Sequence, residues 1–183
     1  MNPFDALTRL CPPPLAPRPV TWSPVEHALG TRLPNDYKQL IETYGGGIFD
    51  ETIWVLEPDC VDEDYDLVAQ TRECADVLAE LWSTGEPKPA ELHPAGARAI
   101  PWAYVEGSGH FLYWLALPGR SASEWTVLLN EGRGPEWEHH HVSCTEFLAG
   151  LMTGEVQSSY LPDFYAEDHV FEPYADVWPT ESS

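Results

Sequence analysis

The chain has 183 residues, 43% hydrophobic and 12% aromatic, which suits one well-buried domain and is short for two. Nine Lys and Arg against thirty Asp and Glu give a net charge of -21, so nucleic acid and anionic membranes, which would repel it, are excluded as partners. A basic protein is the natural complement, although on charge alone solubility accounts for the acidity equally well.

Residues 1–19 hold Pro12-Pro13-Pro14, Pro17 and Pro19 and read as a proline-rich, extended N-terminal arm, packed on the domain or free. Met1 to Leu10 has one arginine and no apolar run, unlike a signal peptide, and no stretch reaches the roughly eighteen apolar residues of a membrane span. Cys11, Cys60, Cys74 and Cys144 are far apart and lack CxxC spacing. Reduced thiols and a cytoplasmic location are the expectation, with no structural zinc and no disulfide framework.

Residues 22–49 pack two helix signals and their stops together. Ser23-Pro24-Val25-Glu26 reads as a capping box with Pro24 at the first helical position, and Gly30 closes that helix. Pro34 opens a second helix in the same way. Its apolar positions Tyr37, Leu40, Ile41 and Tyr44 fall at i, i+3, i+4 and i+7, a single buried stripe. Gly45-Gly46-Gly47 then turns the chain. A phosphate-cradling loop needs GxxxxGK[ST] between strand and helix, whereas these glycines follow a helix with no lysine near, so they read as a helix stop with close backbone packing.

Thr52 to Leu56 is a strand by its β-branched and aromatic content. Glu57, Asp59, Asp62, Glu63, Asp64 and Asp66 then cluster. Those after Val61 suit the first turn of a helix, where carboxylates meet the positive end of the dipole. A calcium loop would need a glycine that this run lacks, so the functional expectation for the six is a docking patch for a basic partner. The longest helix is expected over 62–84, with Leu67, Thr71, Cys74, Leu78 and Leu81 as its buried stripe and Gly85 and Pro87 after it.

Successive strands follow. They are 99–105, where Pro101 marks an edge or a bulge, 110–117, apolar on both faces, 125–129, and 136–142 after the turn Glu131-Gly132-Arg133-Gly134-Pro135. Ser143-Cys144-Thr145-Glu146 is a second capping box, Phe147, Leu148, Leu151 and Met152 form the buried stripe of a closing helix, and Gly154 caps it. The pattern of helices, a run of antiparallel strands and a closing helix is an α+β fold. Residues 156–183 mix Tyr160, Phe164, Tyr165, Phe171, Tyr174 and Trp178 with Asp163, Glu167, Asp168, Glu172, Asp176 and Glu181. Such aromatic density argues against disorder and for an acidic extension packed on the domain.

Catalytic signals are weak. Of His139-His140-His141, only His139 and His141 share a strand face, and a metal would need a third ligand such as Glu136 or a tail acid. A polar edge strand is the better reading. There is no GxSxG and no HExxH. A Cys144–His141 dyad stays open, with Glu146 opposing thiolate formation and the helix N-terminus favouring it. No enzyme and no cofactor are expected.

Trp22, Glu26, Leu29-Gly30, Leu33-Pro34, Asp36-Tyr37, Tyr44 and Gly45-Gly46 together resemble the SUKH superfamily, which includes the fungal cell-wall assembly regulators and many bacterial immunity proteins. Trp114, Trp125-Thr126-Val127 and Thr145 to Leu148 look like the later parts of the same pattern. The resemblance covers residues 20–155 and implies a single antiparallel sheet flanked by helices. It also implies action by binding, as an immunity protein that neutralises a cognate, basic, nuclease-type toxin of a polymorphic toxin system. The alternative is an intracellular regulatory or scaffold protein of that superfamily with no toxin partner. Trp22, Glu26, Leu33, Pro34, Tyr37, Tyr44, Gly45 and Gly46 are read as structural, and partner binding is expected at the six acids.

Overall fold

The computed structural model describes residues 2–14, 18–131, 134–164 and 167–179. Pro17, Gly132, Arg133, Tyr165 and Glu181, which entered the expectations above, lie outside them. The strands are β1 (Gly47–Phe49), β2 (Ile53–Val55), β3 (Arg98–Val105), β4 (His110–Ala116), β5 (Thr126–Asn130), β6 (Trp137–His140) and β7 (Phe171–Pro173). The helices are α1 (Pro3–Leu10), α2 (Trp22–Leu29), α3 (Asn35–Tyr44), α4 (Leu67–Ser83), α5 (Cys144–Thr153) and α6 (Tyr174–Val177). Among the described residues the strands form one antiparallel sheet in the order β6-β5-β4-β3-β2-β1-β7, flanked by helices. The fold is α+β, as the strand and helix pattern predicts.

Side chains alternate across each strand, and that alternation builds two cores. Leu112 and Trp114 of β4 and Val127 and Leu129 of β5 face α1, α2, α3 and α5 in the larger core. Tyr113 and Leu115 of β4 and Leu128 of β5 face the other way, onto Cys74 and Leu78 of α4. Apolar on both faces, β4 sits in the interior. Interior too is β3, so Pro101 marks a bulge and not an edge, and the pairing with β4 slips between Pro101 and Ala103.

Two tight turns place the strands. Asp50 and Glu51 both take positive φ, 47° and 53°, which makes the β1–β2 connection a type I′ turn whose twist matches that of the strands. Gly45, with φ 76°, reverses the chain from α3 into β1. At the far end the capping box of α5 is complete: Ser143 Oγ accepts the Glu146 N–H at 3.3 Å and Glu146 Oε2 accepts the Ser143 N–H at 2.8 Å.

Several elements differ from expectation. Residues 3–10, expected within an extended arm, are helical: Asn2 Oδ1 accepts the Phe4 N–H at 3.0 Å, Pro3 stands at the first helical position, and Phe4 and Leu7 are buried. Ser23 does not cap α2, which begins at Trp22 with Thr21 before it and no side-chain cap. Pro34 lies one position ahead of α3 and its carbonyl accepts the Lys38 N–H at 3.1 Å. The long helix starts at Leu67, preceded by a separate 3₁₀ turn over Glu63–Tyr65. Leu81, placed in its buried stripe, is 40% exposed and borders a groove between α4 and the sheet.

After Gly154 the chain crosses back and adds β7 to the free edge of β1. Phe171 enters the core against Tyr44 and Phe49, with ring centroids 5.1 and 4.7 Å away. Asp50 fixes this return. Its carboxylate pairs with His169 Nδ1 at 2.7 Å and accepts the Val170 N–H at 2.8 Å, while its own N–H donates to the Val170 carbonyl at 2.9 Å.

Candidate functional site

The stretch from Trp22 to Gly46 is bound into the interior. Trp22 Nε1 donates to Glu42 at 2.7 Å and its ring meets Tyr37 edge-on at 5.9 Å. Glu26 accepts the Leu33 N–H at 2.9 Å and pairs with Lys38 at 2.5 Å, so it joins α2 to α3 rather than closing a cap. Burial opposes its charge, but Lys38 and the Leu33 N–H outweigh burial and hold its carboxyl below the ordinary range. Leu33 is buried. Tyr37 is fully buried and its hydroxyl donates to the Leu56 carbonyl, and the Tyr44 hydroxyl donates to the Cys11 carbonyl at 2.5 Å.

Gly46 leads to the acidic run. Its N–H donates to Glu57 Oε2 at 2.9 Å, and a Cβ there would stand 2.5 Å from the Glu57 side chain. The Glu57 carboxylate is buried against that glycine with Arg18 3.8 Å away, and so it does not share a surface with the other five acids. Asp66 is committed as well. It caps α4 by accepting the Ala69 N–H at 2.7 Å and accepts the Cys60 N–H at 3.2 Å. Asp62 caps the 3₁₀ turn through the Asp64 N–H at 3.0 Å. That leaves Asp59, Glu63 and Asp64 exposed, with Asp62 half-buried beside them. Behind this loop, Tyr65 packs on Trp54 at 4.5 Å and Tyr174 of α6 closes over both. Burial, and then the nearby Glu106, push the Tyr65 hydroxyl up to about 12, which registers the negative field.

Replacing Glu57 by alanine strands the Gly46 N–H and leaves Arg18 without its partner, an expected loss of about 1–3 kcal/mol of stability. Glu57→Gln keeps an acceptor and loses less, while Glu63→Ala, at an exposed position, stays within about 0.5 kcal/mol. Urea unfolding of the three variants checks this order. Equal, near-zero effects would mean that the Glu57 contact adds nothing.

The remaining candidates do not assemble into a reactive centre. His139 and His141 share a face, their rings 4.0 Å apart, and His139 bonds Thr126 at 2.8 Å. Burial and then the neighbouring His141 push the His139 imidazole below its ordinary value. His140 turns to the opposite face, against Phe147 at 5.0 Å. Among the described residues no group of three or more His, Cys, Asp or Glu is arranged to hold a metal ion. Cys144 is buried and its thiol donates to Asp36 at 3.3 Å. Burial and then Asp36 push it well above the ordinary thiol value, which opposes a nucleophilic role.

The surface feature that the sequence did not reveal is a groove beside α4, lined at one end by Asp64, Glu73, Glu106 and three aromatic rings. Its residues come from three distant segments, so no local pattern marks it. Among the described residues no helix is long and apolar enough to cross a membrane. The family model SUKH_6, described as SMI1-KNR4 cell-wall, matches residues 21–148. That span runs from α2 into α5 and leaves out α1 and the β7–α6 return. No curated protein and no solved structure matches the chain.

Proposed function

The chain belongs to the SMI1-KNR4 cell-wall family, and from that premise we propose that it acts by binding, as an immunity protein that neutralises a cognate basic protein toxin of the nuclease type. The charge of -21 on a chain of this family, taken together, supports this reading. A nuclease presents a basic surface to its phosphate substrate, and a carboxylate-rich protein competes for that surface while steering the encounter. The loop with Asp59, Asp62, Glu63 and Asp64 is the expected first contact. There Asp59, Glu63 and Asp64 are exposed, whereas Asp62 caps the 3₁₀ turn and Glu57 and Asp66 are bonded to the backbone beside it.

The test is capture of partners from the chain's own host at low and at moderate salt, followed by a nuclease assay of what is captured. A basic protein held at low salt, released by added salt and inhibited by the chain supports the proposal. Reversing Asp59, Glu63 and Asp64 to lysine together should then slow association by about one to two orders of magnitude at low salt, with the difference fading as salt rises. Capture of housekeeping proteins alone, or of a protein that the chain does not inhibit, would transfer the weight to a regulatory or scaffold role.

A further inference from the structure

One face of the sheet is only partly covered by α4. Val77 and Leu81 on that helix are 49% and 40% exposed, and beside them a row of rings crosses the sheet. Tyr104 and Phe111 stand 5.2 Å apart, Phe111 and Tyr113 6.1 Å, and Tyr113 and Trp137 5.4 Å. Helix and rings bound a groove in two connected sections. The apolar section, about 160 Å³, includes Val77, Leu81, Phe111 and Tyr113. The other, about 270 Å³, shares Phe111 and Glu73 with it and adds Tyr65, Tyr104, Asp64 and Glu106.

Charge complementarity selects the occupant. Glu73 accepts a hydrogen bond from Gln70 Nε2 at 3.1 Å and Glu106 accepts one from the Trp54 indole N–H, both neutral donors. Among the described residues no lysine or arginine lines either section. Three carboxylates beside three aromatic faces suit a guanidinium, which stacks flat on a ring and directs two N–H groups at a carboxylate. Beyond Glu73, which the two sections share, the neighbouring section holds no charged residue, and its Val77, Leu78 and Leu81 suit an aliphatic side chain. From Gln70 to Leu81 the groove follows α4 for about 16 Å, the reach of about five extended residues.

We propose that this groove docks an extended segment of the protein partner, with an arginine of the partner between Glu73, Glu106 and the aromatic rings and an aliphatic residue on Val77 and Leu81. This rests on the reading that the chain works by binding a basic protein, and it specifies how that partner is held.

The test titrates the isotope-labelled full chain with a blocked five-residue peptide carrying arginine at one end and leucine at the other, read by NMR. Its citrulline counterpart, with the same shape and no charge, is the control. The expected result is shifts at Tyr65, Tyr104, Phe111 and Val77, with the citrulline peptide binding at least tenfold more weakly. Glu73→Lys and Val77→Glu, both on the outer face of α4, should each weaken the arginine peptide about tenfold or more and leave the spectrum folded. Equal binding of both peptides, shifts confined to Asp59 and Glu63, or no binding would overturn the proposal. A captured toxin that binds Glu73→Lys as tightly as the parent chain would also overturn it while leaving the immunity reading intact. Peptide binding in the groove with no toxin captured would do the reverse.

Discussion

Trp114→Ala is expected to lower the free energy of unfolding by about 3–5 kcal/mol. The indole is 1% exposed, and its ring lies 4.8 Å from Tyr37, 6.3 Å from Trp102 and 5.8 Å from Trp125. Each neighbour is held by an element of its own: Tyr37 by α3 and its bond to the Leu56 carbonyl, Trp102 by the β3 bulge, Trp125 by the entry to β5. Rings fixed from three directions cannot close over the space that alanine leaves, so the cavity cost adds to the lost burial. Domains of this size have about 5–15 kcal/mol in total, so the variant should approach the margin of folding. A denaturant midpoint that falls with an unchanged slope is the signature, and a loss under about 1 kcal/mol would mean that this column of rings is not the centre of the fold.

Gly47→Ala should detach the C-terminal return. A Cβ at this position would lie 2.3 Å from the Glu172 carbonyl oxygen, 2.6 Å from the Phe171 ring and 2.9 Å from the Pro173 Cα. Two of those three are backbone atoms of the paired strand, and they can yield only if β7 moves away. Overpacking of this kind costs about 1–3 kcal/mol, and exposure of Phe171 adds about 1.5–3 kcal/mol once the strand leaves. The expected outcome is early proteolytic cleavage beyond Gly154 and loss of amide protection at Val170, with residues 21–148 still folded. Cleavage no faster than in the parent chain would show that β1 tolerates the methyl group.

What was legible in the sequence divides by the distance of the determining contact. The α5 cap needed only Ser143 and Glu146, three residues apart, and both of its bonds form. The strands after residue 98 followed from short apolar runs bounded by glycine turns, which are also local. The same Ser-x-x-Glu signal at Ser23 misled, because Glu26 found Lys38 and the Leu33 N–H, partners that exist only once α3 is in place. The N-terminal helix carried a legible signal, Asn2 and Pro3 with Phe4 and Leu7 one turn apart, and the prolines downstream obscured it. Glu57 belonged by composition to the acidic run, yet its position is set by a bare glycine N–H eleven residues earlier. Nothing local separates it from Asp59. The groove depends on α4 lying across a sheet whose strands come later in the chain, and tertiary arrangement alone creates it.

The clamp of Asp50 on His169 and Val170 also bears on how copies of this protein behave in crowded solution. Without β7, the three buried, largely apolar residues of β1 would present unpaired backbone N–H and C=O groups along a sheet border, a template on which another chain can polymerise. With β7 in place that border is three residues long and ends at Pro173, which has no N–H to offer. The opposite border, β6, is four residues long and carries Glu138, His139 and His140. Among the described residues both borders of the sheet are therefore short and interrupted by charge or proline, features that disfavour edge-to-edge pairing between copies.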